Sequence, residues 1–153
     1  MPQTMTELTR LKELTGAVLG PSRWLEITQE RVNTFADATD DHQWIHVDLE
    51  RATAGPFGGP IAHGYLTLAL VIPLWSELLT VDGVGLSVNY GLNRVRFPAP
   101  VPVGSKVALT ARVVSVEDVR GGAGAQLTVQ FTVQIAGVEK PAAVAEAIYH
   151  YYA

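Results

Sequence analysis

The sequence contains no cysteine. That removes a disulfide framework, a thiolate nucleophile and a cysteine metal site together. It has no G-x-S-x-G, G-x-G-x-x-G or Walker pattern, the usual signatures of serine hydrolases and nucleotide-binding folds. Positive charge is scarce as well. Eleven Lys and Arg against fifteen Asp and Glu give a net charge of −4, without the basic patch that nucleic-acid binding needs. Residues 5–15 interleave charges among leucines and lack the apolar core of a signal peptide. The best membrane candidate, 61–79, carries His63, Pro73, Ser76 and Glu77 and falls short of about 20 uninterrupted apolar residues. A cytoplasmic protein with no membrane span is expected.

What is present is a globular balance: 153 residues, 48% hydrophobic and 17% charged, enough for one domain over 1–153 with a substantial core. No repeats, linkers or low-complexity tracts divide it. Leu8, Leu11 and Leu14 recur every three residues, so 5–15 reads as a short amphipathic helix ended by Gly16. Gly20-Pro21-Ser22 is a turn and 24–27 a short extended piece. Thr28 then suits the N-cap of a second helix ending near Thr39, and Asp48 could cap another over 50–53.

A long helix follows from His63 or Gly64 to Leu79. It looks apolar on nearly every side, hence buried on nearly every side, and Pro73 should kink it. Alternation then takes over at Leu86–Leu92, at 106–118 with a bulge where the phase slips between Val113 and Val114, at 127–135, and at 142–152. Gly121-Gly122-Ala123-Gly124 and 137–141 are turns. The fold class is α+β: helices first, then an antiparallel meander of four long strands wrapped around a long central helix. So many apolar faces exceed what one small sheet hides, which predicts a homodimer formed by edge-strand pairing.

The chemistry concentrates in 39–64. T-D-D-H-Q-W-I-H-V-D supplies carboxylates and imidazoles, and G-P-F-G-G-P-I-A-H-G leads into the start of the apolar helix. A helix start offers unsatisfied N–H donors to a negative charge. Taken alone, an Asp and a His five apart serve turns and surfaces as readily as catalysis. Asp37, Asp40 and His42 read as ordinary exposed polar residues, and the spacing of Asp41, His46 and His63 matches no usual metal motif, so no metal and no cofactor are expected.

Three blocks, F-A-x-A-T-x-D41-x-Q-W-I-H46-x-D, G55-P-F-G-G-P-I-A-H63-G64 and R96-F-P-A-P-V-P-V-G104, together resemble the MaoC-like, (R)-specific enoyl-CoA hydratases. The resemblance implies the hot-dog fold, usually dimeric. Its implied activity is reversible addition of water to a trans-2-enoyl thioester in fatty-acid metabolism, the substrate being an acyl-CoA or an acyl carrier protein thioester. It further implies Asp41 and His46 as the pair holding the water, Gly64 N–H as the oxyanion donor and a pantetheine tunnel along the helix. Gln43 could orient water or thioester, or satisfy the loop's own backbone. Arg94 or Arg96 could meet the CoA phosphates, their alternation being taken to leave only one of them on any given groove. The family commonly has Asn-Pro where Gln43-Trp44 stands here. A hot-dog thioesterase and a non-catalytic acyl-binding subunit are the alternatives.

Overall fold

The computed structural model describes residues 3–119 and 123–153. The turn expected at 121–124 thus lies partly outside them. In chain order come β1 (Thr4–Glu7), a 3₁₀ helix (Leu8–Leu14), β2 (Val18–Leu19), β3 (Leu25–Glu26), α1 (Gln29–Thr39), α2 (Trp44–Val47) and α3 (Leu49–Thr53). Then follow α4 (Gly64–Ala69), α5 (Val71–Leu78), β4 (Leu79–Asp82), β5 (Leu86–Arg96), β6 (Lys106–Val119), β7 (Gly124–Ile135) and β8 (Ala143–Tyr152). This is the α+β, hot-dog arrangement: one antiparallel sheet, ordered β2-β6-β7-β8-β5 with β3 also on β6, curled over α4 and α5.

The period-2 pattern on β8 shows how the helix is seated. Ala143, Ala145, Ala147, Tyr149 and Tyr151 all point inward and are buried. The small alanines let α4 come close to the strand. Further along, α5 carries Trp75, whose indole N–H donates to the Tyr151 hydroxyl at 3.1 Å. Phe131 of β7 meets Trp75 edge-on at 5.3 Å between ring centroids. The bulge in β6 falls where the phase slipped: the register jumps between Val113 and Ser115, leaving Val114 unpaired. Thr28 caps α1 by accepting from the Arg31 N–H, and Asp48 caps α3 by accepting from that of Arg51.

Four expectations need correction. Residues 5–15 are not an α-helix. Thr4–Glu7 pairs parallel with β4, and the leucines at every third position sit on a 3₁₀ helix, whose three residues per turn align them on one edge. The long helix is two pieces. Pro73 has no N–H for the Ala69 carbonyl, so the ladder breaks around Leu70. Nor is it buried all round: Tyr65 is 73% and Ile72 43% exposed, along one stripe. The four long strands are not one meander, because β5 pairs with β8 at the far side of the sheet.

The crossing from β5 to β6 runs through Pro98, Pro100 and Pro102. Alternate prolines leave the intervening N–H groups free to bond on one edge. Ala99 N–H donates to the Pro141 carbonyl and Val103 N–H to that of Pro60, while Val101 accepts from Ala62 N–H at 2.8 Å. The segment before α4 is thereby strapped to the sheet. No helix among the described residues is long and apolar enough to cross a membrane.

Because Phe131 is 1% exposed and wedged between Trp75 and Tyr149, Phe131→Ala should destabilise the protein by about 3–5 kcal/mol. A urea titration of both proteins reads this as a lowered midpoint at unchanged slope.

Candidate active site

Asp41, His46 and His63 arrive from three neighbouring segments, and the fold brings one ligand-type atom of each within 4.8 Å of the others. α1 ends at Thr39, and Asp40 after it adopts the left-handed conformation (φ 57°) and turns the chain. Asp41 follows, partly exposed, its carboxylate accepting from the Gln43 N–H at 3.4 Å. His46 lies on α2, a single helical turn that composition and spacing did not suggest. Its backbone carbonyl takes a hydrogen bond from Gln29 of α1.

Both imidazoles are nearly sealed, His46 at 6% and His63 at 2% exposure. Their hydrogen bonds fix their tautomers. His46 Nδ1 lies 2.6 Å from the Ile61 carbonyl oxygen, which can only accept, so Nδ1 carries the proton and Nε2 is left with its lone pair. In the same way His63 Nε2 donates to the Asp41 backbone carbonyl at 2.9 Å. The rings stack at 3.8 Å with 23° between planes. Burial pushes the His46 pKa below its ordinary value; the Ile61 bond opposes that, His63 adds to it, and Asp41 opposes it in turn.

A cavity of about 360 Å³ opens beside His46, walled by Gly64, Thr67, Phe57, Phe97 and Ala142 among others. Gly64 is the first residue of α4. The first intrahelical bond runs from Thr67 N–H to His63, which leaves the Gly64 N–H ahead of the ladder. A Cβ on Gly64 would stand 3.2 Å from the Phe97 ring, so the absence of a side chain keeps this wall open. Phe57 and Phe97 were not picked out as site residues from the sequence, although both stand inside the two blocks flanking the helix.

Gln43 is exposed, lies outside the cavity wall, and meets Asp41 through its backbone rather than its amide. Trp44 occupies the first position of α2, where a proline's missing N–H would also be harmless. Its ring packs over Gly55 and beneath the Arg51 guanidinium, 4.4 Å from the ring centroid. His42 pairs with Asp37 at the surface. Arg94 and Arg96 were expected to face different grooves. Residues two apart on a strand share a face, and both line one groove with Gln130 and Glu146. That groove shares no residue with the cavity beside His46.

Asp41, His46 and His63 are the described residues close enough together to hold an ion. Imidazole lone pairs lie in the ring plane, however, and in two stacked rings they run side by side rather than converging on one centre.

The MaoC like domain family matches residues 10–135. A 3-hydroxyacyl-thioester dehydratase Z of Mycobacterium tuberculosis is 56% identical over 151 residues, 99% of each chain. The (R)-hydratase from A. caviae involved in PHA biosynthesis has a TM-score of 0.68 at 26% identity, over 88% of this chain and 94% of that one. The ChsH1-ChsH2 complex from Mycobacterium tuberculosis contains a chain sharing the fold alone, with a TM-score of 0.70 at 20% identity over 90% and 97% of the two chains. Matched through all three of the blocks that line the cavity, and along nearly its whole length by the mycobacterial relative, this chain belongs to the MaoC-like domain family.

Proposed function

We propose that this protein is an (R)-specific enoyl-thioester hydratase, equally a 3-hydroxyacyl-thioester dehydratase, acting in fatty-acid metabolism in the cytoplasm through one domain spanning 1–153. In the forward direction water adds to Cβ of a trans-2-enoyl thioester and a proton to Cα. The observation that carries this reading is the His46 tautomer: its Nδ1–H is spent on Ile61, so a bare Nε2 is available as base beside the cavity. Asp41 and His46 hold the water between them and manage its protons. Gly64 N–H, at the start of a helix, receives the charge that develops on the thioester oxygen.

The thiol carrier is anchored by Arg94 and Arg96. Phe97 is part of the cavity wall, and Arg96 directly precedes it along the chain, with Arg94 two residues further back on the same groove. Two copies associate through β5. That strand ends the sheet order and leaves Leu86 56%, Tyr90 62% and Leu92 44% exposed, with Tyr65 of α4 bare as well.

Asp41→Asn and His46→Gln should each lower kcat by about 10²–10⁴-fold. The double variant should be little worse than the worse single one, because both groups serve one proton network. Loss of the conjugated thioester's ultraviolet absorbance gives the rate, and chiral analysis of the product should give the (R) isomer. A base must be neutral to act, and the lowered pKa keeps His46 neutral to more acid pH. The acid limb of kcat/KM should therefore lie below 6.5, the ordinary histidine value. An (S) product or near-normal rates in either variant would refute the assignment.

Arg94→Ala combined with Arg96→Ala should raise KM for an enoyl-CoA while leaving that for the pantetheine thioester, which lacks the nucleotide phosphates, unchanged. Equal effects on both substrates would remove the arginines from phosphate binding. Light scattering should give twice the chain mass, and Leu86→Lys with Leu92→Lys should halve it. A wild-type monomer throughout the micromolar range would end the β5 proposal.

A further inference from the structure

His63 has no part in the proton transfers above, yet it is among the largest fully buried side chains. Burying an imidazole strips water from both ring nitrogens. Nε2 is compensated by the Asp41 carbonyl at 2.9 Å. Nδ1 is not: it is the one buried side-chain nitrogen or oxygen without a hydrogen-bond partner among the described residues. An unpaired buried acceptor destabilises the fold, and a leucine or phenylalanine would fill the same space without one. Packing alone therefore does not account for a histidine here.

Its contacts suggest what does. One nitrogen grips the backbone of Asp41, and the ring lies flat on His46 at 3.8 Å. Phe35 of α1 holds the ring in turn, at 4.8 Å and 56°. The two members of the proposed water-holding pair are thus tied to one side chain that belongs to neither of their segments. We propose that His63 is a positioning residue, coupling the Asp41 backbone to the His46 ring so that carboxylate and imidazole keep one relative placement. The inference rests on the reading of Asp41 and His46 as the proton-handling pair.

The arrangement also bears on charge. Asp41 from the α1–α2 loop and His63 from the segment before α4 are the titratable side chains set against His46. α1 contributes the neutral Gln29 at its carbonyl, and the 97–101 segment and Ala142 present apolar groups. Burial is the largest cause that lowers the His46 pKa, and His63 adds to it. With His63 in place, a proton on His46 is disfavoured.

The test uses the full-length protein with His63→Phe, His63→Leu and His63→Gln. Phenylalanine keeps a stacking ring without the donor, leucine loses both, and glutamine can still donate to the Asp41 carbonyl. For a short trans-2-enoyl-CoA, kcat should fall on the order of tenfold to a hundredfold in the Phe and Leu variants, the scale on which misplaced reacting groups lose rate. KM should move much less, and Gln should recover part of kcat. The His46 ring, followed by NMR titration, should take up its proton at higher pH in the Phe and Leu variants, and the acid limb should move with it.

A folded His63→Phe variant with wild-type kcat and an unmoved His46 titration would overturn the proposal. So would a lowered melting temperature with no change in that titration, because that is what a packing role alone produces. If leucine prevents folding, the Phe variant decides. Should the wild-type protein turn over no enoyl thioester, the functional reading fails by itself, and the His46 titrations still decide whether His63 positions the ring.

Discussion

Seating an apolar helix against the inner face of a curled sheet is the constraint from which the other features follow. Leu66, Leu70, Leu74, Trp75 and Leu78 must leave water; the alanines of β8 admit α4, and Phe131 and Tyr151 receive Trp75 of α5. Once the helix lies there, its first residue, Gly64, opens at the end of the sheet. The chain leading into it has to be held by something other than a strand. Backbone bonds to the proline-rich 97–103 segment do this, and they place Phe97 against Gly64 and build the cavity wall.

The same constraint explains the state of the histidines. A segment pressed between a helix start and a sheet excludes water, and burial then disfavours charge on His46. Each ring satisfies one nitrogen by donating its N–H to a backbone carbonyl, Ile61 for His46 and Asp41 for His63. The carbonyls are available because their segments are irregular and do not spend all their groups in a ladder. An irregular loop and a defined tautomer are thus one feature seen twice.

Where expectation and structure part, the cause is non-local pairing. Leucines three apart fit an α-helix nearly as well as a 3₁₀ helix, and the strand Thr4–Glu7 that decides the matter pairs with residues more than seventy positions away. β5 was expected beside β6 because consecutive strands usually neighbour one another. Its prolines carry the chain across the sheet instead, and β8 receives it. The exposed stripe from Tyr65 to Ile72 read as core because hydropathy reports that a residue is apolar, not which of its faces a neighbour covers.

Taken alone, the amino-acid order determined the strand phases, the β6 bulge, the caps at Thr28 and Asp48, an irregularity at Pro73, and the three blocks that mark the family. All of these depend on residues within a few positions of one another. Tertiary structure decided the rest. It gave His46 its helical turn and its Ile61 partner, and stacked His63 on it. Those outcomes depend on which buried polar atom finds which acceptor across the fold, and no local pattern in a sequence records that pairing.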